Sequence, residues 1–135
     1  MCPKYGPAYF NAANLYLSQK LWEMALKFYD KVNLILAYLD QALEIDKRDV
    51  LSLMNRGLCK ILLGDKDAAK IDFKLAADLQ PVLTDALFNK ASILFTTNEL
   101  DEAEKVYSRV IQLDPNDLTA YKMRGEMYII LSFNV

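Results

Sequence analysis

The sequence predicts an all-α solenoid of antiparallel helix pairs, on three observations. DLQPVLTDALFNKA (78 to 91) is echoed 34 residues later by QLDPNDLTAYKMRG (112 to 125), with Pro81 and Pro115, and Leu79 and Leu113, in step. Ala69 and Ala103, and Phe73 and Tyr107, keep the same 34-residue spacing, and a fixed period of that size marks a repeat architecture. Within each period apolar residues recur at helical spacing on both sides of a turn signal, with no strand pattern between them.

Residues 1–135 read as one array. Residues 6–46 form an irregular first repeat that opens at Gly6-Pro7, with Tyr9, Ala13 and Tyr16 on a first helix and Ala25 and Tyr29 on an extended second one. Asn11 to Asn55 is 44 residues, whereas Asn55 to Asn89 is 34, so ten are surplus. They lie in KFYDKVNLILAYLDQALEID, where the end of a second helix is written twice, around Tyr29 and Val32 and again around Leu39 and Ala42. Either ten residues were inserted, or 24 residues of an ancestral unit were lost with its first helix; the loss explains both copies. Residues 21–45 contain no Gly or Pro, so one long helix that overhangs the stack is expected there.

Residues 50–83 are a regular unit. Leu53, Gly57 and Ile61 mark one apolar face, Gly64-Asp65 breaks it, and Ala69, Phe73 and Ala76 resume it before Pro81. Gly57 and Ala69 sit where the two helices cross, so a larger side chain there would push the axes apart, and Phe73 fills the space beside them. Residues 84–117 repeat the arrangement with Leu87, Ala91, Leu94, Ala103, Tyr107 and Pro115, and with Asn98 as a turn residue that tolerates the left-handed conformation. Residues 118–135 read as the first helix of a truncated repeat, with Tyr121, Gly125 and Tyr128 in place.

Composition narrows the function. Sixteen basic against eighteen acidic residues, a net charge of −2 and no block of like charge provide no field for phosphate backbones, so no nucleic-acid partner is expected. The longest apolar runs, such as LILAYL (34 to 39), are far below membrane-spanning length, and a cytoplasmic location is expected. Two cysteines and no histidine complete neither a disulfide framework nor a zinc site. Without histidine there is no Ser-His or Cys-His pair, and the cluster Glu99, Asp101, Glu102 and Glu104 surrounds a helix start, where acids meet the helix dipole. Neither catalysis, metal nor cofactor is expected; an enzyme would have to work through such surface carboxylates.

The pattern resembles the tetratricopeptide repeat family, whose 34-residue motif has bulky residues at positions 4 and 11, small ones at 8, 20 and 27, an aromatic at 24 and Pro at 32. Lys60 departs from it at position 11, its stem expected to pack and its ammonium to reach solvent. The resemblance implies a scaffold that binds a peptide or helix of a partner protein in a concave groove lined by positions 2, 5, 6, 9 and 12. Those positions include Phe10, Asn11 and Asn14, then Leu51, Met54, Asn55 and Leu58, then Phe88, Asn89, Ser92 and Phe95. The asparagines at position 6 suit either a peptide backbone or local hydrogen bonding. The family's carboxylate clamp, which holds an acidic chaperone tail, needs cations where Phe10, Asp85 and Asn89 stand, so clamp binding is not expected. The alternative is a short form of a longer repeat protein with little binding of its own, which either self-associates through residues 118–135 or needs another protein to cover them, since Tyr128 and Leu131 are expected to face water. A regular second helix added after them should cover that face.

Overall fold

The computed structural model describes residues 6–133, with side chains from residue 11 onward. Six α-helices follow one another among the described residues: α1 (Gly6–Ile45), α2 (Val50–Leu62), α3 (Lys66–Leu79), α4 (Thr84–Thr96), α5 (Leu100–Leu113) and α6 (Leu118–Phe133). Each packs on its neighbour in sequence, the pairs α2 with α3 and α4 with α5 most extensively. The result is an all-α solenoid.

Two kinds of turn alternate. Inside a repeat, Gly64 (φ 86°) and Asn98 (φ 64°) take the left-handed conformation that ends α2 and α4. The following amides, Asp65 and Glu99, then donate to the carbonyls of Lys60 and Leu94 at 2.8 Å each, closing Schellman caps. Between repeats, the amides of Asp49, Leu83 and Asp117 donate to the carbonyls of Asp46, Gln80 and Asp114, so this turn recurs every 34 residues.

The core follows the small-large alternation of the sequence. Ala69, Ala91 and Ala103 are fully buried and admit Phe73 and Tyr107, themselves 1% and 0% exposed. A Cβ on Gly57 would lie 2.6 Å from the Phe73 ring, whereas one on Gly125 meets nothing within 4 Å. Gly57→Ala is therefore expected to destabilise the chain by about 1–3 kcal/mol through overpacking. Gly125→Ala, relieved of glycine's entropic cost in a helix, should stabilise it by about 0.5–1 kcal/mol. Urea unfolding of both variants checks the opposite signs.

The first repeat departs from expectation. The sequence reading places a helix pair over residues 6–46, but the structure runs a single 40-residue helix, about 60 Å long, from Gly6 to Ile45. The repeats turn at Gly64 and Asn98; the corresponding position here is Lys20, which has no comparable access to the left-handed conformation, so the helix continues. Only its last turns pack: Val32 and Leu43 are buried, while Leu15, Tyr16, Leu21, Trp22, Phe28 and Tyr29 are exposed.

Lys60 also departs from expectation. Its ammonium does not run out to solvent but sits 2.8 Å from Asp72 Oδ2, and Arg56 donates to the same carboxylate through Nη2 (2.7 Å) and Nε (2.9 Å). Arg56 also reaches Asp40 Oδ1 at 3.1 Å, so one guanidinium ties α1, α2 and α3 together. Asp72 is 1% exposed. Its burial favours the neutral acid, but the two cations outweigh that and hold its pKa below the usual carboxylate range.

Candidate peptide-binding groove

The first helices of successive repeats, α2 and α4, present one face of the stack. On α2 the residues Leu51, Asn55 and Leu58 follow each other at helical spacing and are exposed, with Met54 half-buried beside them. Phe88, Asn89, Ser92 and Phe95 form the matching stripe on α4, all half-buried.

Two depressions open between the helices. One, of about 280 Å³, is lined by Leu58, Ile61, Phe73 and Ile93, with Lys66, Asn89, Ser92 and Thr96 supplying polar atoms. The other, of about 260 Å³, has Met54 and Phe88 as apolar walls and Thr84, Asp85, Asn89 and Asp117 as polar ones. Asn89 borders both, so its amide stands between an apolar depression and an acidic one. A larger cleft of about 470 Å³, lined by Asp40, Leu43, Glu44, Lys47, Leu53, Arg56 and Leu75, contains none of the expected groove residues.

The second layer supports this surface. Tyr107, from α5, packs edge-on against Phe88 with ring centroids 5.4 Å apart, and its hydroxyl lies 3.1 Å from Ser92 Oγ. Burial pushes the Tyr107 pKa up, so the phenol stays neutral and available as a donor. One buried side chain thus orients two groove residues four positions apart.

The structure brings Met54, Leu58, Phe88, Asn89 and Ser92 to the two depressions. Leu51 and Asn55 extend the α2 stripe without lining either, and Phe95 turns partly into the core. Asn11 and Asn14 are not part of this surface: they are exposed on the projecting half of α1, and the 13-residue α2, about 20 Å long, reaches back only to about Val32. Their expected place on a first helix fails because the chain does not fold back near Lys20. The Phe10 side chain lies outside the described residues.

Sequence reasoning missed Ile61, Lys66, Phe73, Ile93 and Thr96 as lining residues of the first depression, and Thr84, Asp85 and Asp117 of the second. Ile61 stands at position 12, the same place as Phe95, so the period itself could have found it. Asp117 had no such signal. It caps α6 by accepting from the Ala120 amide at 3.0 Å and reaches the groove from the turn, outside the first-helix positions. The carboxylate cluster stands at the start of α5, where Glu99 is the N-cap residue without a side-chain cap hydrogen bond, and its acids pair elsewhere. Glu99 accepts hydrogen bonds from Lys70 on α3 and from Thr97, and Glu104 accepts from Ser108 and Tyr128. Among the described residues no three potential metal ligands come together, and no helix is long and apolar enough to cross a membrane.

Known proteins share the pattern. Two family models, both described as tetratricopeptide repeat, match residues 84–117 and 51–82. FK506-binding protein 59 of Drosophila melanogaster is 28% identical over 106 residues, which are 78% of this chain and 24% of that protein, so the chain spans about a quarter of its length. Among solved structures, the first repeat domain of Spaghetti (RPAP3), bound to the HSP90 peptide SRMEEVD, superposes with a TM-score of 0.71 at 24% identity, over 82% of this chain and 89% of that one. The Yersinia enterocolitica secretion chaperone SycD, in complex with a peptide of the translocator YopD, gives 0.67 at 19% identity, over 84% and 93% of the two chains. Residues 51–82 and 84–117 are thus two tandem tetratricopeptide repeats, and the helix-pair stack around them has the tetratricopeptide repeat fold.

Proposed function

We propose that this chain is a non-catalytic interaction module that holds a peptide or helix of a partner protein in the groove between α2 and α4. The observation that carries this reading is the pair of depressions on one face that share Asn89, one almost wholly apolar and one acidic. An amide donates and accepts at once, so Asn89 can bracket a peptide unit while an apolar side chain enters beside Phe73 and Ile93. Similar repeat domains hold peptides of HSP90, HSP70 and a translocator, which supports a protein ligand.

The charge of the groove sets the kind of ligand. Asp85 and Asp117 face the second depression, so a segment with a Lys or Arg following an apolar residue fits, whereas a terminal carboxylate meets repulsion. A peptide ending in MEEVD is expected to show no saturable binding up to about 100 µM, in the weak range of affinities. Asp85→Lys combined with Asn89→Lys should introduce measurable binding, since each charge-assisted bond contributes about 1.5–3 kcal/mol. Fluorescence polarisation with labelled peptides tests both. Micromolar binding of that acidic peptide to the unmodified chain would overturn the ligand class. Basic-apolar peptides that bind equally well after Asn89→Ala plus Leu58→Asp would remove the groove from the reading.

A further inference from the structure

The second helices of the repeats carry a cleft of their own. Between α3 and α5, with α4 beneath them, lies a depression of about 390 Å³ whose apolar walls are Ala77, Pro81, Leu87 and Val106. Lys90, Lys105 and Arg109 line it against a single acid, Asp78. By helical period Leu87 and Lys90 lie on the side of α4 turned away from Phe88 and Ser92, so this cleft is separate from the groove. All of its residues fall within the two matched repeats, and neither end of the chain enters into it.

The preceding repeat supplies the comparison. In the cleft of about 470 Å³, Leu43, Glu44, Leu53, Arg56 and Leu75 stand 34 residues before Ala77, Asp78, Leu87, Lys90 and Arg109, so the two clefts are the same feature one period apart. In the first, the cation is used up inside the protein: Arg56 donates to Asp72 and to Asp40. Lys90 has neither acid, since Val106 stands at the place of Asp72 and Lys74 at that of Asp40. Two further cations are added. Lys105 stands where the first cleft's repeat has Ile71, and Arg109 where it has Leu75. Among the described residues the ion pairs join Arg56 to Asp40 and Asp72, Lys60 to Asp72 and Lys70 to Glu99, and none engages Lys90, Lys105 or Arg109.

We propose that this cleft docks an acidic amphipathic helix of a partner protein, its carboxylates one turn apart on Lys105 and Arg109 and an apolar side chain inserted over Ala77, Leu87 and Val106. Lys105 and Arg109 are exposed and four residues apart on α5, about 6 Å between Cβ atoms, which is the spacing of carboxylates at i and i+4 on a facing helix. Lys90 is half-buried, so a carboxylate that reaches it leaves water behind and its charge-assisted bond strengthens.

Charge and shape select a protein ligand over a nucleic acid. Three cations in a chain of net charge −2 give no extended track for a phosphate backbone, while the apolar walls reward a side chain that a backbone of phosphates lacks. A short tail such as SRMEEVD holds no helix, and when extended it points successive carboxylates to opposite sides, so the absence of binding expected of that tail is unaffected. The inference does not rest on the groove reading.

The test is fluorescence polarisation of the whole chain with a labelled, end-blocked peptide of about 16 residues, long enough to hold a helix, that carries Glu-x-x-Leu-Glu in an otherwise neutral sequence. Saturable binding is expected with Kd of about 10–100 µM, weakening as salt rises. Lys105→Glu combined with Arg109→Glu should weaken it by about 10-fold or more, and Lys105→Gln with Arg109→Gln should act in the same direction should charge reversal disturb the fold. Replacing the leucine of the peptide by serine should cost about 10-fold as well, because the walls then lose their apolar partner. Asn89→Ala plus Leu58→Asp, in the groove, should leave this peptide's affinity unchanged. No saturable binding up to about 1 mM, affinity unchanged in both α5 variants, or equal binding of the serine peptide each overturns the proposal. So does loss of binding in the groove variant, which places the peptide elsewhere, or equal binding of a single-stranded oligonucleotide of matching charge, which reduces the cleft to a general anion site.

Discussion

Tyr107→Ala is expected to lower the unfolding free energy by about 3–5 kcal/mol, as large aromatic-to-alanine changes in a tight core do. Tyr107 is 0% exposed, the largest of the fully buried side chains, and belongs to the core cluster that takes residues from all six helices. Removing it leaves a void in a core whose other members, Ala91, Leu94 and Met127 among them, are themselves 0% exposed, and it releases Phe88 and Ser92 from their supports. Tyr107→Phe separates the two roles: the cavity stays filled and only the hydroxyl is lost, at a cost of about 1 kcal/mol. Urea unfolding followed by circular dichroism gives both numbers. A loss under about 1 kcal/mol for Tyr107→Ala would show that the core relaxes around the void, contrary to close packing.

Residues 50–117 were legible because their punctuation is chemical. Gly64 and Asn98 are residue types that accept positive φ, and the 34-residue spacing makes each signal confirm the other. The small residues at helix crossings were legible for a steric reason, shown by the Phe73 ring filling the flank of Gly57. The course of α1 was half legible. The lack of Gly and Pro after residue 21 announced a long helix, but the same lack extends upstream through Lys20, and motif matching at Tyr9, Ala13 and Tyr16 hid it. Those positions match a first helix without the turn that would make them one, so the motif puts Asn11 and Asn14 on the face of α2 and α4 while the continuous helix carries them away from it. The pairing of Lys60 with Asp72 was not legible, because helical period places a residue on a face without saying which charge faces it from the next helix. Asp117 at the acidic depression escaped for the same reason: it comes from a turn, where no period applies.

Asp72→Ala should cost about 3 kcal/mol at neutral pH, near the lower limit for breaking a buried ion pair. Its carboxylate accepts three hydrogen bonds from two cations on α2, and without it Arg56 and Lys60 remain only 23% exposed. Arg56 keeps Asp40, and both cations can partly reach solvent, which places the cost at the low end of the range. Because the folded-state pKa of Asp72 is depressed, its contribution is fully present above the unfolded carboxylate value of about 4 and is lost as pH falls through the lower folded value. The stability difference between wild type and Asp72→Ala should therefore hold constant from neutral pH down to about 5 and shrink below 4, whatever the other carboxylates do to both proteins. Asp72→Ala combined with Lys60→Leu should recover part of the loss, since it removes a stranded cation and restores the bulky apolar residue usual at that position. Urea midpoints at a series of pH values, for wild type, single and double variants, measure all of this. A difference that stays constant through the acid range would mean that the buried carboxylate stabilises by packing rather than by charge.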